Sequence, residues 1–107
     1  MNENTETEIL KNAVIDQLQT IYDPEIPVNI YELGLVYDVK VTDGNKVFVL
    51  MTLTAPNCPV AESLPMEVKE RVQSIAGVSE AEVEVTFEPP WDQDMISDEA
   101  KLELGLL

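Results

Sequence analysis

Hydrophobic residues recur along this chain with two periods, which predict three helices and three strands. A spacing of three to four residues places apolar side chains on one face of a helix, and strict alternation places them on one face of a strand. These patterns, with the turn residues between them, predict helices over residues 6–21 and 59–76, a short helix after Ser97, and strands over residues 35–42, 46–54 and 81–88.

The first helix and the segment after it have boundaries that the sequence marks. Thr5 and Glu8 have the spacing of a capping box, and Pro24 ends the helix because the residue before a proline is driven out of the helical conformation. Residues 23–35 are too rich in proline for regular structure and too apolar for a free linker, so we expect them to pack over the domain. The predicted apolar face of the helix comprises Ile9, Leu10, Ala13, Val14, Leu18 and Ile21.

Turn residues also divide the rest of the chain. Residues 42–45 read T-D-G-N, which predicts a hairpin between the first two strands. The second strand is apolar on both faces, so we expect it to be the more buried of the pair. Pro65 removes one hydrogen bond within the second helix, which predicts a kink or a later start, and Gly77 suits the cap at its C-terminus. Ser97 suits the N-cap of the last helix.

The predicted order α-β-β-α-β-α indicates one α+β domain over residues 1–107, with residues 1–5 as a flexible lead. Three strands with one apolar face can be covered by the first two helices, which gives a two-layer fold. We therefore expect a three-stranded mixed sheet with the helices packed on one face. The connection from the second strand through the long helix to the third resembles a split βαβ unit, and the sequence leaves the strand order open.

Two kinds of aromatic residue have alternative interpretations. Trp91, beside two prolines, is either a lid on an apolar edge or an exposed anchor for a partner, and the lid is favoured. Tyr22, Tyr31 and Tyr37 carry no specific signal, and we interpret them as packing residues.

The charge balance restricts the partners of this chain. Its 21 acidic and 6 basic residues give a formal net charge of −15, which disfavours nucleic acid and anionic membrane surfaces, because both are bound through lysine and arginine. The acidity either serves solubility or complements a basic partner protein. No apolar run approaches the roughly 20 residues that span a bilayer, and the first eight residues are polar and acidic, unlike a signal peptide. These features predict a cytoplasmic location.

Cysteine and histidine usage bears on which kinds of catalysis are available to this chain. The chain has one cysteine and no histidine, so it lacks an internal disulfide, a Ser-His-Asp or Cys-His relay and an ordinary zinc enzyme site. These absences disfavour most hydrolytic mechanisms.

The single cysteine stands where a thiol can be reactive. Cys58 follows the second strand, and Pro59 is favoured at the first position of a helix. A thiol at a helix N-terminus lies near unpaired N–H groups and the positive end of the helix dipole, and both favour the thiolate. The alternative is a small buried hydrophobic residue, the commoner role of a lone cysteine.

Four polar residues are candidates for supporting this thiol. Asp23 and Glu25 can act as oxygen ligands or tune the thiol, or else form a turn and remain solvated. Thr54, which shares a strand face with Thr52, can donate a hydrogen bond to the thiolate or simply serve as a strand residue. The side-chain amide of Asn57 can do the same or support the turn.

One thiolate cannot hold a metal by itself. Zinc and iron–sulfur clusters normally take four protein ligands, so no permanent site fits within one chain. If Cys58 binds a metal, the other ligands must come from a second copy in a homodimer, from a partner or from a small thiol.

Three blocks of the chain resemble, in order, the signatures of a family of small iron–sulfur assembly proteins that includes SufT and the PaaD-like proteins. The blocks are DPEIPVNIYELGLVY at residues 23–37, MTLTAPNCPVA at residues 51–61 and FEPPWDQDMIS at residues 87–97. The C-terminal LELGLL is similar to SufT-type members, and the zinc-ribbon cysteines of some PaaD-like members are absent from the sequence.

The resemblance implies a two-layer iron–sulfur assembly domain and a maturation factor, rather than an enzyme, that works with the assembly machinery and recipient apoproteins. It implies that Cys58 is the functional thiol, an exchangeable ligand to a transient iron–sulfur cluster or iron. The alternative is an adaptor that docks the machinery to recipients, with Cys58 structural. A thiol enzyme is the least favoured hypothesis, since a histidine and a second cysteine are missing.

Overall fold

The protein's fold begins with a long N-terminal helix that packs beside the sheet. The structure is a computed structural model that describes residues 2–22, 27–53 and 63–106, with side chains from residue 7 onward. The first helix, α1, spans Asn2–Leu18, so the start predicted at residue 6 is wrong. Residues 2–5 contain neither glycine nor proline, so their sequence does not interrupt the helix.

The apolar face of α1 differs from the prediction at one position. Val14 and Leu18 are fully buried, whereas Ile9 is 64% exposed. The helix also ends three residues before the predicted Ile21, because the chain tightens there into turns joined by i→i−3 bonds, such as Ile21 N to Leu18 O at 3.2 Å. Ile21 itself is still fully buried.

The sheet has three strands in the order β1-β2-β3. Strand β1 (Val36–Thr42) pairs antiparallel with β2 (Lys46–Met51), and β2 pairs parallel with β3 (Glu80–Val85). The sheet is therefore mixed, as predicted. The hairpin turn at residues 43–45 includes two left-handed residues, Gly44 and Asn45.

The connection between β2 and β3 contains helix α2 (Ser63–Gln73). Because β2 and β3 are direct neighbours, no strand is inserted between them, and the predicted resemblance to a split βαβ unit is wrong. The start predicted for this helix at Pro59 lies outside the described residues. Its end at Gln73 comes before the predicted residue 76, and Gly77 serves the following turn with φ of 99°.

The core lies between one face of the sheet and the first two helices. Helix α1 contacts β1 and α2, and α2 contacts β3. Alternation along β2 buries Val47, Val49 and Met51 against the helices and leaves Phe48 and Leu50 half-buried on the opposite face. This arrangement confirms the predicted α+β fold with two layers and the predicted burial of β2.

The C-terminal part of the chain closes one end of the core. After β3 the chain passes through a 3-10 turn (Gln93–Met95) to helix α3 (Asp98–Glu103), whose N-cap is Ser97 as predicted. The Trp91 indole N–H donates to Leu33 O at 2.8 Å and its ring packs on the core, which confirms the lid. The Tyr37 hydroxyl lies 2.7 Å from Pro89 O.

The other two tyrosines do not behave as predicted. Tyr22 is 57% exposed and Tyr31 is 37% exposed, so their interpretation as packing residues is wrong. Residues 27–35, in contrast, pack over the domain as expected, with Val28, Ile30, Leu33 and Leu35 buried.

Candidate functional site

The site predicted from the sequence falls in two segments whose ends the structure defines. Cys58, Thr54 and Asn57 belong to residues 54–62, and Asp23 and Glu25 belong to residues 23–26; all five lie outside the described residues. The structure establishes how the residues that flank both segments are held in the fold.

The cysteine segment leaves from the most buried strand of the sheet. Met51 and Thr52 are fully buried and Leu53 is 9% exposed. The backbone is held on both sides, because Thr52 N donates to Leu35 O at 2.7 Å and Met51 O accepts from Thr86 N at 2.9 Å. The chain that enters the segment is therefore rigidly placed.

The far end of the same segment is anchored by α2. Leu64 is 4% exposed, and Val68 is fully buried one turn later. Because both ends of residues 54–62 are fixed to the core, the segment forms the link between the carboxyl end of a central strand and the helix that crosses back over the sheet. In open α/β sheets, ligands bind characteristically at such carboxyl ends of strands.

The segment with Asp23 and Glu25 is likewise held at both ends. Tyr22 forms an isolated antiparallel bridge with Asn29, and Ile30 N donates to Ile21 O at 2.8 Å. Downstream, the Asn29 side chain accepts from Glu32 N at 2.9 Å, which stabilises the turn that follows.

Backbone hydrogen bonds join the anchors of the two segments to each other. The Leu35 N–H donates a hydrogen bond to Ile30 O at 3.1 Å, and Leu35 O in turn accepts one from Thr52 N. One continuous run of backbone bonds thus leads from the end of α1, through Ile30 and Leu35, to the start of the cysteine segment. The sequence placed these segments about 30 residues apart, and only the folded chain couples them.

Thr52, six residues before Cys58 in the sequence, has an unusual environment. Its side chain is fully buried, and among the described residues it is the only buried side chain whose oxygen lacks a hydrogen-bond partner. Buried hydroxyls are almost always paired, so this oxygen is a potential donor to a group that arrives at the site. In the sequence, Thr52 stands out only because it shares a strand face with Thr54. Hydrophobic periodicity does not distinguish a threonine whose hydroxyl is hydrogen-bonded from one whose hydroxyl has no partner.

A pocket of about 320 Å³ opens beside the ends of residues 23–26. Its polar lining includes three carboxylates and suits cationic groups. The side chains that define it are Gln19, Tyr22, Asn29, Glu32, Glu99 and Glu103.

Within residues 2–22, 27–53 and 63–106, no group of three or more cysteine or acidic side chains is close enough to hold a metal ion. In that same part of the chain, no helix combines the length and apolar character needed to cross a bilayer.

Comparison with known proteins identifies relatives along almost the whole chain. Residues 11–85 match the family described as "Iron-sulfur cluster assembly protein". The chain is 50% identical over 106 residues to an Fe-S protein maturation auxiliary factor of Porphyromonas gingivalis, covering 99% of this chain and 98% of the relative. It is 40% identical over 86 residues to the Fe-S protein maturation auxiliary factor SufT of Staphylococcus aureus, covering 80% and 98%.

Two further similarities concern the fold and its use in longer proteins. The crystal structure of a domain of unknown function, DUF59, from Bacillus anthracis superimposes with a TM-score of 0.89 at 35% identity, covering 97% of this chain and 99% of that one. An iron-sulfur cluster carrier protein of Synechocystis is 33% identical over 84 residues, which are 78% of this chain and 24% of the carrier. The family match and the maturation-factor relatives confirm the resemblance seen in the sequence blocks, and the chain belongs to the iron–sulfur cluster assembly protein family.

Proposed function

We propose that this protein is an accessory factor that assembles iron–sulfur clusters or transfers them to recipient apoproteins, with Cys58 as an exchangeable thiolate ligand. The observation that carries the proposal is the position of the only cysteine, between the buried end of the central strand and α2, in a chain of this family. The maturation factors and carrier among its relatives support the role in cluster handling.

A single thiolate suits transfer better than storage. A cluster normally takes four protein ligands, and this chain supplies one cysteine and no histidine. The remaining ligands therefore come from a second copy, a partner or a small thiol, and a cluster held by so few bonds from this chain is released readily. Neither iron nor a cluster is a permanent cofactor of one chain in this proposal.

The supporting residues have distinct roles. Asp23 and Glu25 supply carboxylate oxygens to iron or tune the thiol, while Thr54 and Asn57 donate hydrogen bonds to the thiolate. The run of backbone bonds from Ile30 to Thr52 supports this grouping, because it ties the anchors of the two segments together.

The proposed partners are the assembly machinery and the recipient apoproteins. The carrier from Synechocystis supports this, since it contains a region similar to this chain within a polypeptide about four times as long as the matched region. We further propose that the protein is cytoplasmic and has no catalytic activity of its own. In this proposal it binds neither nucleic acid nor membrane, in keeping with its net charge of −15.

The decisive experiment replaces the thiol of Cys58 with a hydroxyl and retains the fold. Cys58→Ser is expected to abolish the maturation of a cluster-dependent enzyme in cells that rely on this protein, and to remove the chromophore after anaerobic reconstitution with iron and sulfide. Ser79→Ala, at an exposed position whose hydroxyl bonds to Gly44 O, is the control and should leave both readouts unchanged.

Two results would contradict the proposal. If folded Cys58→Ser supports maturation as well as the parent, the thiol does not handle the cluster, and the adaptor alternative explains the protein. If alkylation against pH gives the thiol a pKa at or above the reference of about 8.5, the argument for an activated thiolate at Cys58 is wrong.

A further inference from the structure

The outer edge of β3 is unpaired in the described part of the chain. The sheet runs β1-β2-β3, so β3 is an edge strand whose far side pairs with no other described strand. An edge of this kind presents a row of free N–H and C=O groups that can pair with another extended chain. Its six residues, Glu80–Val85, are long enough for such pairing.

The side chains of β3 alternate between two different surfaces. Glu82 and Glu84 are exposed on the face of the sheet that the first two helices leave open, where they lie in register with Phe48 and Leu50 of β2. Val83 and Val85 are half-buried on the other face, against the core. A strand added to this edge would therefore meet carboxylates on one side and aliphatic surface on the other.

The charges on the open face are only partly balanced. Lys40 lies 3.8 Å from Asp38, and Lys46 lies 4.0 Å from Glu80, so each lysine of this face already has an acidic neighbour. The other four basic residues of the chain lie on the helices, and among the described residues none forms an ion pair with Glu82 or Glu84. The edge strand thus carries two carboxylates that lack a cation.

A second copy of this chain does not fit the edge. Pairing β3 with β3 would bring glutamates next to glutamates, and like charges on neighbouring strands are destabilising. The net charge of −15 on each copy adds to the repulsion.

We propose that the outer edge of β3 binds an extended segment of a basic partner protein, in which basic and apolar residues alternate. The backbone of the segment pairs with β3, its basic side chains lie beside Glu82 and Glu84, and its apolar side chains lie beside Val83 and Val85. The two glutamates then have two effects: they attract the basic side chains of the partner segment, and they repel a second acidic strand.

The test uses the full chain labelled with ¹⁵N and a capped peptide of sequence Lys-Val-Lys-Val-Lys. We expect chemical-shift changes centred on residues 80–85, slower hydrogen exchange at alternate β3 amides, and weaker binding at high salt. The scrambled peptide Lys-Lys-Lys-Val-Val, with the same charge and composition, should bind much less, since its side chains cannot sort onto two faces.

Matched variants separate local recognition from overall charge. Glu82→Gln with Glu84→Gln should weaken binding about fivefold, as expected for the loss of two exposed ion pairs. Glu8→Gln with Asp16→Asn, at exposed positions of α1, changes the net charge equally and should have a clearly smaller effect.

Three outcomes would overturn the proposal: no change at β3, equal binding of the scrambled peptide, or equal losses in the two double variants. In any of these cases the glutamates only keep the edge from self-association. The peptide experiment involves neither Cys58 nor a cluster, so its failure would leave the proposed function intact.

Discussion

Replacing Thr52 with valine tests whether the unpaired hydroxyl beside the cysteine segment is a real feature of the resting protein. Thr52 is fully buried, follows β2 directly and donates its backbone N–H to Leu35 O at 2.7 Å. Valine retains the branched shape at this position and removes only the hydroxyl, whose oxygen has no partner among the described residues. The backbone bond is unaffected by the change.

The expected effect is stabilisation. Leaving a buried hydroxyl unpaired costs about 1–3 kcal/mol, and the variant removes that cost while burying an additional methyl group. Part of the gain is lost if neighbouring atoms must shift for the methyl, so we expect Thr52→Val to raise the free energy of unfolding by about 1–2 kcal/mol. In a domain of this size each kcal/mol raises Tm by about 4 °C or more.

Thr86, which is half-buried, provides a control whose hydroxyl has a partner. It also follows a strand directly, β3, but its hydroxyl oxygen accepts a hydrogen bond from Glu88 N at 3.2 Å. Thr86→Val should therefore lower the free energy of unfolding by about 1 kcal/mol. Both variants can be measured by urea titration, with circular dichroism and the fluorescence of the single tryptophan, Trp91, as independent probes.

The reasoning would be refuted if Thr52→Val destabilised the protein as much as Thr86→Val does. That result would mean that the Thr52 hydroxyl is hydrogen-bonded in solution, to water or to residues 54–62. If Thr52→Val is more stable and yet matures recipients poorly, the hydroxyl acts on the incoming cargo. Thr52 would then join the functional site together with Cys58.

Two further predictions concern the contacts that hold the neighbouring segments. Gly34→Ala should destabilise the protein by roughly 3 kcal/mol, because Gly34 has a φ of +80° and an added Cβ would collide with the backbone of Met95; Gly44→Ala, with a φ of +78° and open space, should cost only about 1 kcal/mol. Equal losses in thermal unfolding would rule out the collision. Trp91→Phe should cost about 1–2 kcal/mol by removing the bond to Leu33 O, and an unchanged Tm would show that this bond is not formed in solution.

The sequence suggests the chemistry of the candidate site, which stays a prediction, and gives no sign of the architecture around it. Cys58 is recognisable because it is the only thiol and lies among residues that interrupt regular structure. The link from Ile30 through Leu35 to Thr52 has no sequence signal, because it is made entirely by backbone N–H and C=O groups that all residue types except proline share. That the Thr52 hydroxyl has no partner among the described residues could not be foreseen either, because it depends on which distant groups pack around it.

The ends of helices were predicted least well, and α1 shows why. Apolar periodicity marks only the part of a helix that carries apolar residues, so it cannot detect the helical residues 2–5, which are all polar. Periodicity also cannot predict how exposed a residue is at the margin of the apolar face. Ile9 and Leu10 are adjacent in sequence, yet Ile9 is 64% exposed and Leu10 is 9% exposed.

The sequence by itself determined the order of the elements, the apolar faces of the strands, the hairpin turn and the cap at Ser97. These follow from interactions within a few residues, such as side-chain alternation, left-handed turn residues and a hydroxyl that accepts from the first turn of a helix. Only the tertiary structure decided that β2 lies between β1 and β3, that Trp91 bonds to Leu33, and that the outer edge of β3 pairs with no other described strand. Those features depend on which distant surfaces meet, and that is settled by the joint packing of the whole core.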